Sequence, residues 1–172
     1  FSDIRNFVST CEALEAEEVT SLLNDYFSNM VDVIYKHGGE VDKFIGDALL
    51  AVFYETQDTI GQKNSTALNA MYCAMEMKER LLDFNTKRRE SGKPTIEIGI
   101  GINSGEIISG PIGSPDRMDF TVIGDVVNLA NRIEGLSKLG SHTRIVFSDR
   151  VEEQVRGFLD YVELSREKIR GK

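Results

Sequence analysis

The chain has 172 residues, 41% of them apolar, enough for one sizeable hydrophobic core and too few for two full domains. With 28 acidic and 20 basic residues the net charge is −8, which argues against a basic face gripping nucleic acid but leaves room for a small anionic ligand in a local pocket. The longest apolar run, Ala48 to Tyr54, falls far short of the roughly 20 residues that a membrane-spanning helix needs.

Residues 1–7 read as the end of a strand, and Ser9 with Glu12 has the spacing of a capping box that opens a short helix. Val19, Leu22, Leu23, Tyr26, Phe27, Met30, Val31 and Ile34 recur every three or four residues, which predicts a long amphipathic helix stopped by Gly38-Gly39. A hairpin follows, with arms Val41–Ile45 and Ala48–Phe53 around a Gly46-Asp47 turn. After a polar loop to Asn64, a second helix carries Ala67, Leu68, Met71, Cys73, Ala74, Met75 and Leu82 and ends at Gly92 and Pro94.

Ile96, Ile98, Ile100 and Ile102 alternate with Glu97, Gly99, Gly101 and Asn103, which predicts a strand with one nearly bare face. Gly105 to Ile112 reads as its return strand, Ser114 to Asp119 as a charged loop and Phe120–Ile123 as a short strand. Gly124-Asp125 caps a helix running to about Gly135. Arg144–Phe147 is a further strand, followed by a short helix and a weak strand near Tyr161–Leu164. The order β-α-β-β-α-β defines an α+β fold: a ferredoxin-like core, an antiparallel sheet with helices on one face, with extra C-terminal strands and helices. Both ends break into a pattern, so the expectation is one domain, residues 1–172, excised from a longer signalling protein.

Cys11 and Cys73 show no metal-ligand spacing and read as reduced thiols in a cytosolic setting, and His37 and His142 are too scattered for a histidine metal site. Asp3 stands where the first strand ends and Asp47 at a hairpin tip. A ferredoxin-like sheet sets the first strand beside the third, so the two carboxylates can face each other and repel unless a cation lies between them. Hard oxygen ligands suit Mg²⁺ or Mn²⁺.

Four blocks resemble the class III nucleotidyl cyclases in order and spacing. They are Phe1-Ser2-Asp3-Ile4-Arg5, the stretch Lys43 to Phe53 with Gly46-Asp47 at its centre, Gly99 to Glu106, and Phe120 to Arg132. The resemblance implies a catalytic domain that dimerises head to tail, with active sites in the groove between two copies. One copy would supply the metal ligands Asp3, Asp47 and the Ile4 carbonyl for two Mg²⁺ or Mn²⁺ per site. The other would supply Lys43 and Thr121 to read the base, and Asn128 and Arg132 to hold the ribose and the transition-state charge. The chain carries both sets, so a homodimer could hold two complete sites.

The implied reaction is attack of a ribose 3′-hydroxyl on its own α-phosphate with loss of pyrophosphate. N–H groups at a helix start near Phe7 suit the terminal phosphates. Adenine offers an N1 acceptor and an N6 donor, matching the Lys43 donor and the Thr121 hydroxyl as acceptor, so ATP is the expected substrate and adenylyl cyclase the expected activity, with a cytoplasmic location. A guanylyl cyclase and a catalytically silent nucleotide-binding partner module are the alternatives. Thr121 resembles a bacterial-type subset in which some members respond to bicarbonate, so bicarbonate regulation stays open. The sequence departs from the family at Asn6 and Val8, and near the C-terminus, where Arg170 aligns with a phosphate-binding lysine and Lys168 and Lys172 are neighbouring candidates. Asn6 tolerates a left-handed backbone, so the turn can survive.

Overall fold

The computed structural model describes residues 1–55, 65–140 and 143–164. The expected polar loop at 56–64, His142, and the basic tail with Lys168, Arg170 and Lys172 lie outside the described residues.

Strand β1 (Ser2–Ile4) leads into the short helix α1 (Phe7–Glu12) and the long helix α2 (Ala16–Lys36). Strands β2 (Glu40–Ile45) and β3 (Ala48–Val52) form the expected hairpin, and helix α3 (Ser65–Glu90) returns the chain to β4 (Ile98–Ile102). Then come β5 (Ile108–Ser114), β6 (Arg117–Ile123), α4 (Asp125–Gly135), a 3-10 turn (Leu136–Leu139), β7 (Ile145–Phe147) and α5 (Asp149–Val155). The five-stranded sheet runs β2-β3-β1-β4-β7, antiparallel except where β7 lies parallel to β4.

Helix α2 forms because Leu22, Tyr26, Met30, Val33 and Ile34 share one buried face. Its N-terminus is closed by a reciprocal pair, Glu15 and Glu18, and its C-terminus by Gly38 at φ 74°, a conformation that costs glycine little. Helix α3 buries Ala67, Met71, Ala74, Met77, Leu81 and Phe84 at the same period. Asn85 then fixes the turn into β4: its amide donates to the Ile96 carbonyl at 2.7 Å and its side-chain oxygen accepts from the Ile96 N–H at 2.9 Å. Ile4, Leu49, Ile98 and Ile100 of the sheet close the core against α2 and α3. Each such large apolar side chain contributes about 1.5–3 kcal/mol on full burial.

The face of β4 left bare of side chains by Gly99 and Gly101 is covered by α4 and the 3-10 turn. A Cβ on Gly101 would lie 2.2 Å from the backbone nitrogen of Glu134, and one on Gly99 would lie 2.0 Å from the Ser137 hydroxyl. The isoleucines alternate toward α2 and α3, so α4 rests on the opposite face of the sheet, and the helices are not confined to one side.

Other expectations need correction. Residues 105–112 are not the return strand of β4. β5 instead pairs with β6 in a separate two-stranded ribbon, from Ile108 opposite Ile123 to Ser114 opposite Arg117. The charged stretch 114–119 is therefore mostly strand, with a tight turn at Pro115 and Asp116. Residues 161–164 form no strand. Ser9 does not open α1, which begins directly after Asn6, itself in the left-handed conformation at φ 54°. Asparagine tolerates that backbone better than most residues, as the sequence suggested.

Candidate active site

Pairing of Ser2 with Leu49 sets β1 beside β3, so Asp3 comes to lie next to the Gly46-Asp47 turn. Gly46 holds φ 64° there, which tips the hairpin without strain. The two carboxylates meet. Partial burial, the Asp3 charge and a side-chain hydrogen bond to Asp3 all push the Asp47 carboxyl above its usual range, against smaller opposing pulls from its own backbone N–H and from Arg5. Ile4 anchors the strand by burying its side chain at 2% exposure, and its main chain runs between Asp3 and Arg5.

Arg5, which the sequence did not single out, bridges this pair to α4. Its Nη2 lies 3.1 Å from Asp3 Oδ1 and also donates to Glu134 Oε1. The Arg5 Nε is buried and has no partner among the described residues. Burial raises the Glu134 carboxyl from its usual range, and Arg5 pulls it back. The acid pair and the helix carrying Asn128 and Arg132 are thereby tied by one guanidinium.

Two carboxylates, with a main-chain carbonyl beside them, are a donor set that suits a hard divalent ion completed by phosphate oxygens. The repulsion stored between Asp3 and Asp47 is what such an ion would relieve, so the residues fit Mg²⁺ or Mn²⁺. Among the described residues no cluster of three or more His, Cys, Asp or Glu side chains could hold a metal without such outside ligands.

Lys43 on β2 and Thr121 on β6 also come together, through a residue that sequence reasoning missed. Asp42 accepts the Thr121 hydroxyl at 2.9 Å and the Val122 N–H at 3.0 Å, and the Lys43 ammonium lies 3.5 Å from the same carboxylate. Asp42 shows only 6% of its side chain to solvent, so the carboxylate is built in rather than incidental. No spacing rule flags an aspartate whose partner is 79 residues away.

Asn128 and Arg132 are exposed on α4, while Ala130, Ile133 and Glu134 are buried. Four residues apart, the pair shares a face of the helix. The helix start is held by Asn103, whose amide donates to the Val126 carbonyl at 2.9 Å and whose side-chain oxygen accepts from Ser148 at 2.7 Å. Phe7 is the first residue of α1, half-buried against the core. Val8, one of the positions where the sequence departs from the family, is 73% exposed and leaves an apolar side chain at the surface. Both cysteines are free thiols, and burial pushes Cys73 up to about 12, which keeps it inert. A cavity of about 610 Å³ lies between β3, β4, α3 and α4, and none of the candidate residues lines it. Asn128 and Arg132 are on open surface, whereas Thr121 is buried at 6% exposure.

The α+β fold brings together an acid pair at one strand end and a polar cluster between β2 and β6, and sets an Asn/Arg pair on α4. The chain belongs to the adenylate and guanylate cyclase catalytic domain family, whose model matches residues 1–172. It is 41% identical over 142 residues to an adenylate cyclase of Anabaena cylindrica, covering 80% of this chain and 26% of that protein. It is 32% identical over 173 residues to adenylate cyclase 1 of Rhizobium meliloti, covering 100% of this chain and 25% of that protein. The chain thus spans about a quarter of the length of these relatives. Among solved structures, the adenylyl cyclase CyaB from P. aeruginosa superposes with a TM-score of 0.80 at 35% identity, covering 90% of this chain and 76% of that one. The guanylyl cyclase Cya2 superposes at 0.77 with 40% identity, covering 89% and 74%. Among the described residues no helix is long and apolar enough to cross a membrane.

Proposed function

We propose that this domain is an adenylyl cyclase that converts ATP to 3′,5′-cyclic AMP and pyrophosphate at sites shared by two copies arranged head to tail. The observation that carries the reading is the convergence of Lys43 and Thr121 on one buried carboxylate; a donor and a hydroxyl held together in this way match the N1 acceptor and the amine of adenine. The presence of Asp3, Asp47, Asn128 and Arg132 in the same chain supports a working enzyme over a silent module, because such a module needs only half of the set.

In the reaction the 3′-oxygen bonds to the α-phosphorus, the bond from that phosphorus to the pyrophosphate oxygen breaks, and the hydroxyl proton passes to solvent water. Asp3, Asp47 and the Ile4 carbonyl would hold two Mg²⁺ or Mn²⁺, which supply acidification of the hydroxyl and neutralisation of the triphosphate. Arg132 donates to the α-phosphate oxygens as their charge grows, and Asn128 donates to the ribose ring oxygen. The N–H of Phe7 and the side chain of Arg170, with Lys168 and Lys172 as neighbours, take the terminal phosphates. Phosphoryl transfer of this kind is mostly positioning and charge stabilisation, which these residues supply. An ATP substrate implies a cytoplasmic setting, free or on the cytoplasmic side of a tethered parent protein.

A guanylyl cyclase is the second reading, favoured by the 40% identity to Cya2. Purified protein with Mn²⁺ and either ATP or GTP decides between them. Cyclic AMP formed faster than cyclic GMP supports the proposal, and the reverse order establishes the second reading. Tight nucleotide binding with no product from either would mark a silent module. The same assay with and without bicarbonate tests that regulator.

A further inference from the structure

We propose that Asp42 sets the base preference of the site. By accepting the hydrogen bond that the Thr121 hydroxyl donates, it leaves that oxygen only lone pairs to offer the base and so turns the reader toward adenine. The inference rests on the adenylyl cyclase reading above.

A threonine hydroxyl is ambivalent. It carries one donor and can also accept, and its hydrogen rotates to suit the partner. Thr121 alone could accept from the amine of adenine or donate to the carbonyl oxygen of guanine, so the residue type does not discriminate. The destination of its proton does. Thr121 Oγ1 lies 2.9 Å from Asp42 Oδ2, and a carboxylate has no hydrogen to give, so the threonine must donate. The other carboxylate oxygen is occupied by the Val122 N–H at 3.0 Å, which stops the group from turning. Lys43 stands 3.5 Å from Oδ2, so one buried carboxylate orients both readers. The result is a fixed pattern, an ammonium donor beside a hydroxyl acceptor. It complements adenine at both positions and opposes guanine and hypoxanthine at both.

Asp42→Asn tests this with almost no change in shape. The Val122 N–H holds the side-chain oxygen, so the new amide group faces Thr121 and donates to it. The threonine proton is then released toward the base, and the reader changes sign. ATP and ITP are the probes, because they differ in the N1 and C6 groups that face this reader. The ATP-to-ITP ratio of kcat/KM should fall by about tenfold or more, chiefly through KM. On a Thr121→Val background the same substitution should leave the ratio within about twofold, since the group it acts through is gone.

A purely structural role would lower both nucleotides together, and an unchanged ratio in Asp42→Asn, with wild type still preferring ATP, overturns the inference alone. An equal drop on both backgrounds also overturns it. Wild-type protein that prefers ITP, or uses neither nucleotide, overturns the adenylyl cyclase reading as well. Should Asp42→Asn not fold, the unsubstituted protein gives the answer. A Thr121 hydroxyl proton bonded to a carboxylate exchanges slowly and is visible by NMR, and rapid exchange of that proton contradicts the proposal.

Discussion

Two carboxylates pressed together cost the fold something, and the cost can be measured at Asp47. Burial and the neighbouring Asp3 raise its folded pKa above the usual 3.8, so the group favours folding most below that value and loses this contribution as the pH rises through the folded value. At neutral pH the ionised pair destabilises the metal-free protein. Asp47→Asn should therefore raise the melting temperature without metal at pH 7, with the gain shrinking on acidification, and abolish the stabilisation that Mn²⁺ gives the wild type. A variant that melts lower at pH 7, or still responds to Mn²⁺, contradicts this account of the pair. If Arg132 meets the transition-state charge as proposed, Arg132→Ala should lower kcat by about 10³-fold while KM moves only a few-fold. The meeting of Asp3 with Asp47 was legible in the sequence because strand order and the hairpin turn place them, and Lys43, Asn128 and Arg132 were legible as candidates because their neighbours along the chain form short motifs. Asp42, Arg5 and Glu134 were not, since each matters through a partner brought close only by the fold, 79 residues away for Asp42 and Thr121 and 129 for Arg5 and Glu134.

The long helices and the hairpin were legible because their apolar periods are strong and their ends carry glycine. The strands of the β5–β6 ribbon were read in part, at 105–112 and 120–123, but their pairing with each other was not. Gly110, Pro111 and Gly113 weaken the strand signal, and the large apolar side chains Ile108, Met118 and Phe120 are exposed, so no one-sided pattern marks their register. The bare face of β4 was seen, but its cause, a helix lying directly on it, is a tertiary fact. That contact makes Gly101→Val a sharp probe. The added Cβ meets the Glu134 backbone at 2.2 Å, and overpacking of this kind costs about 1–3 kcal/mol, so thermal unfolding should shift down by several degrees and cyclase activity should fall as α4 is displaced. A Gly101→Val protein as stable and active as wild type would mean that α4 does not bear on β4. On the other face, Glu76 joins α2 to α3 by accepting from Lys36 at 2.7 Å and from His37 at 2.8 Å, and these bonds hold its pKa below 4.5. That contribution is present above the unfolded pKa and lost as the pH falls through the folded one. Glu76→Gln should lower the melting temperature slightly at pH 7 and make no difference in acid below the ordinary carboxylate range, as parallel melts would show.

At the scale of the whole molecule the central claim is that no single copy holds a complete site. The acid pair sits at the end of β1 beside the hairpin turn; of the residues proposed to act from the other copy, Lys43 is on the same hairpin while Thr121, Asn128 and Arg132 are on β6 and α4, and the exposed apolar side chains Phe44 and Ile45 flank the turn. The proposed division of labour makes a mixing experiment decisive. Asp47→Ala and Arg132→Ala should each be inactive as pure homodimers. Combined in equal amounts and allowed to exchange partners, half of the dimers are mixed, and each of those holds one intact site, with the acids of one copy and the arginine of the other. Cyclic AMP production should return to about a quarter of the wild-type rate at equal protein. A mixture as dead as its components, with exchange of subunits verified, would mean that acids and arginine act within one chain, and the shared site would have to be abandoned.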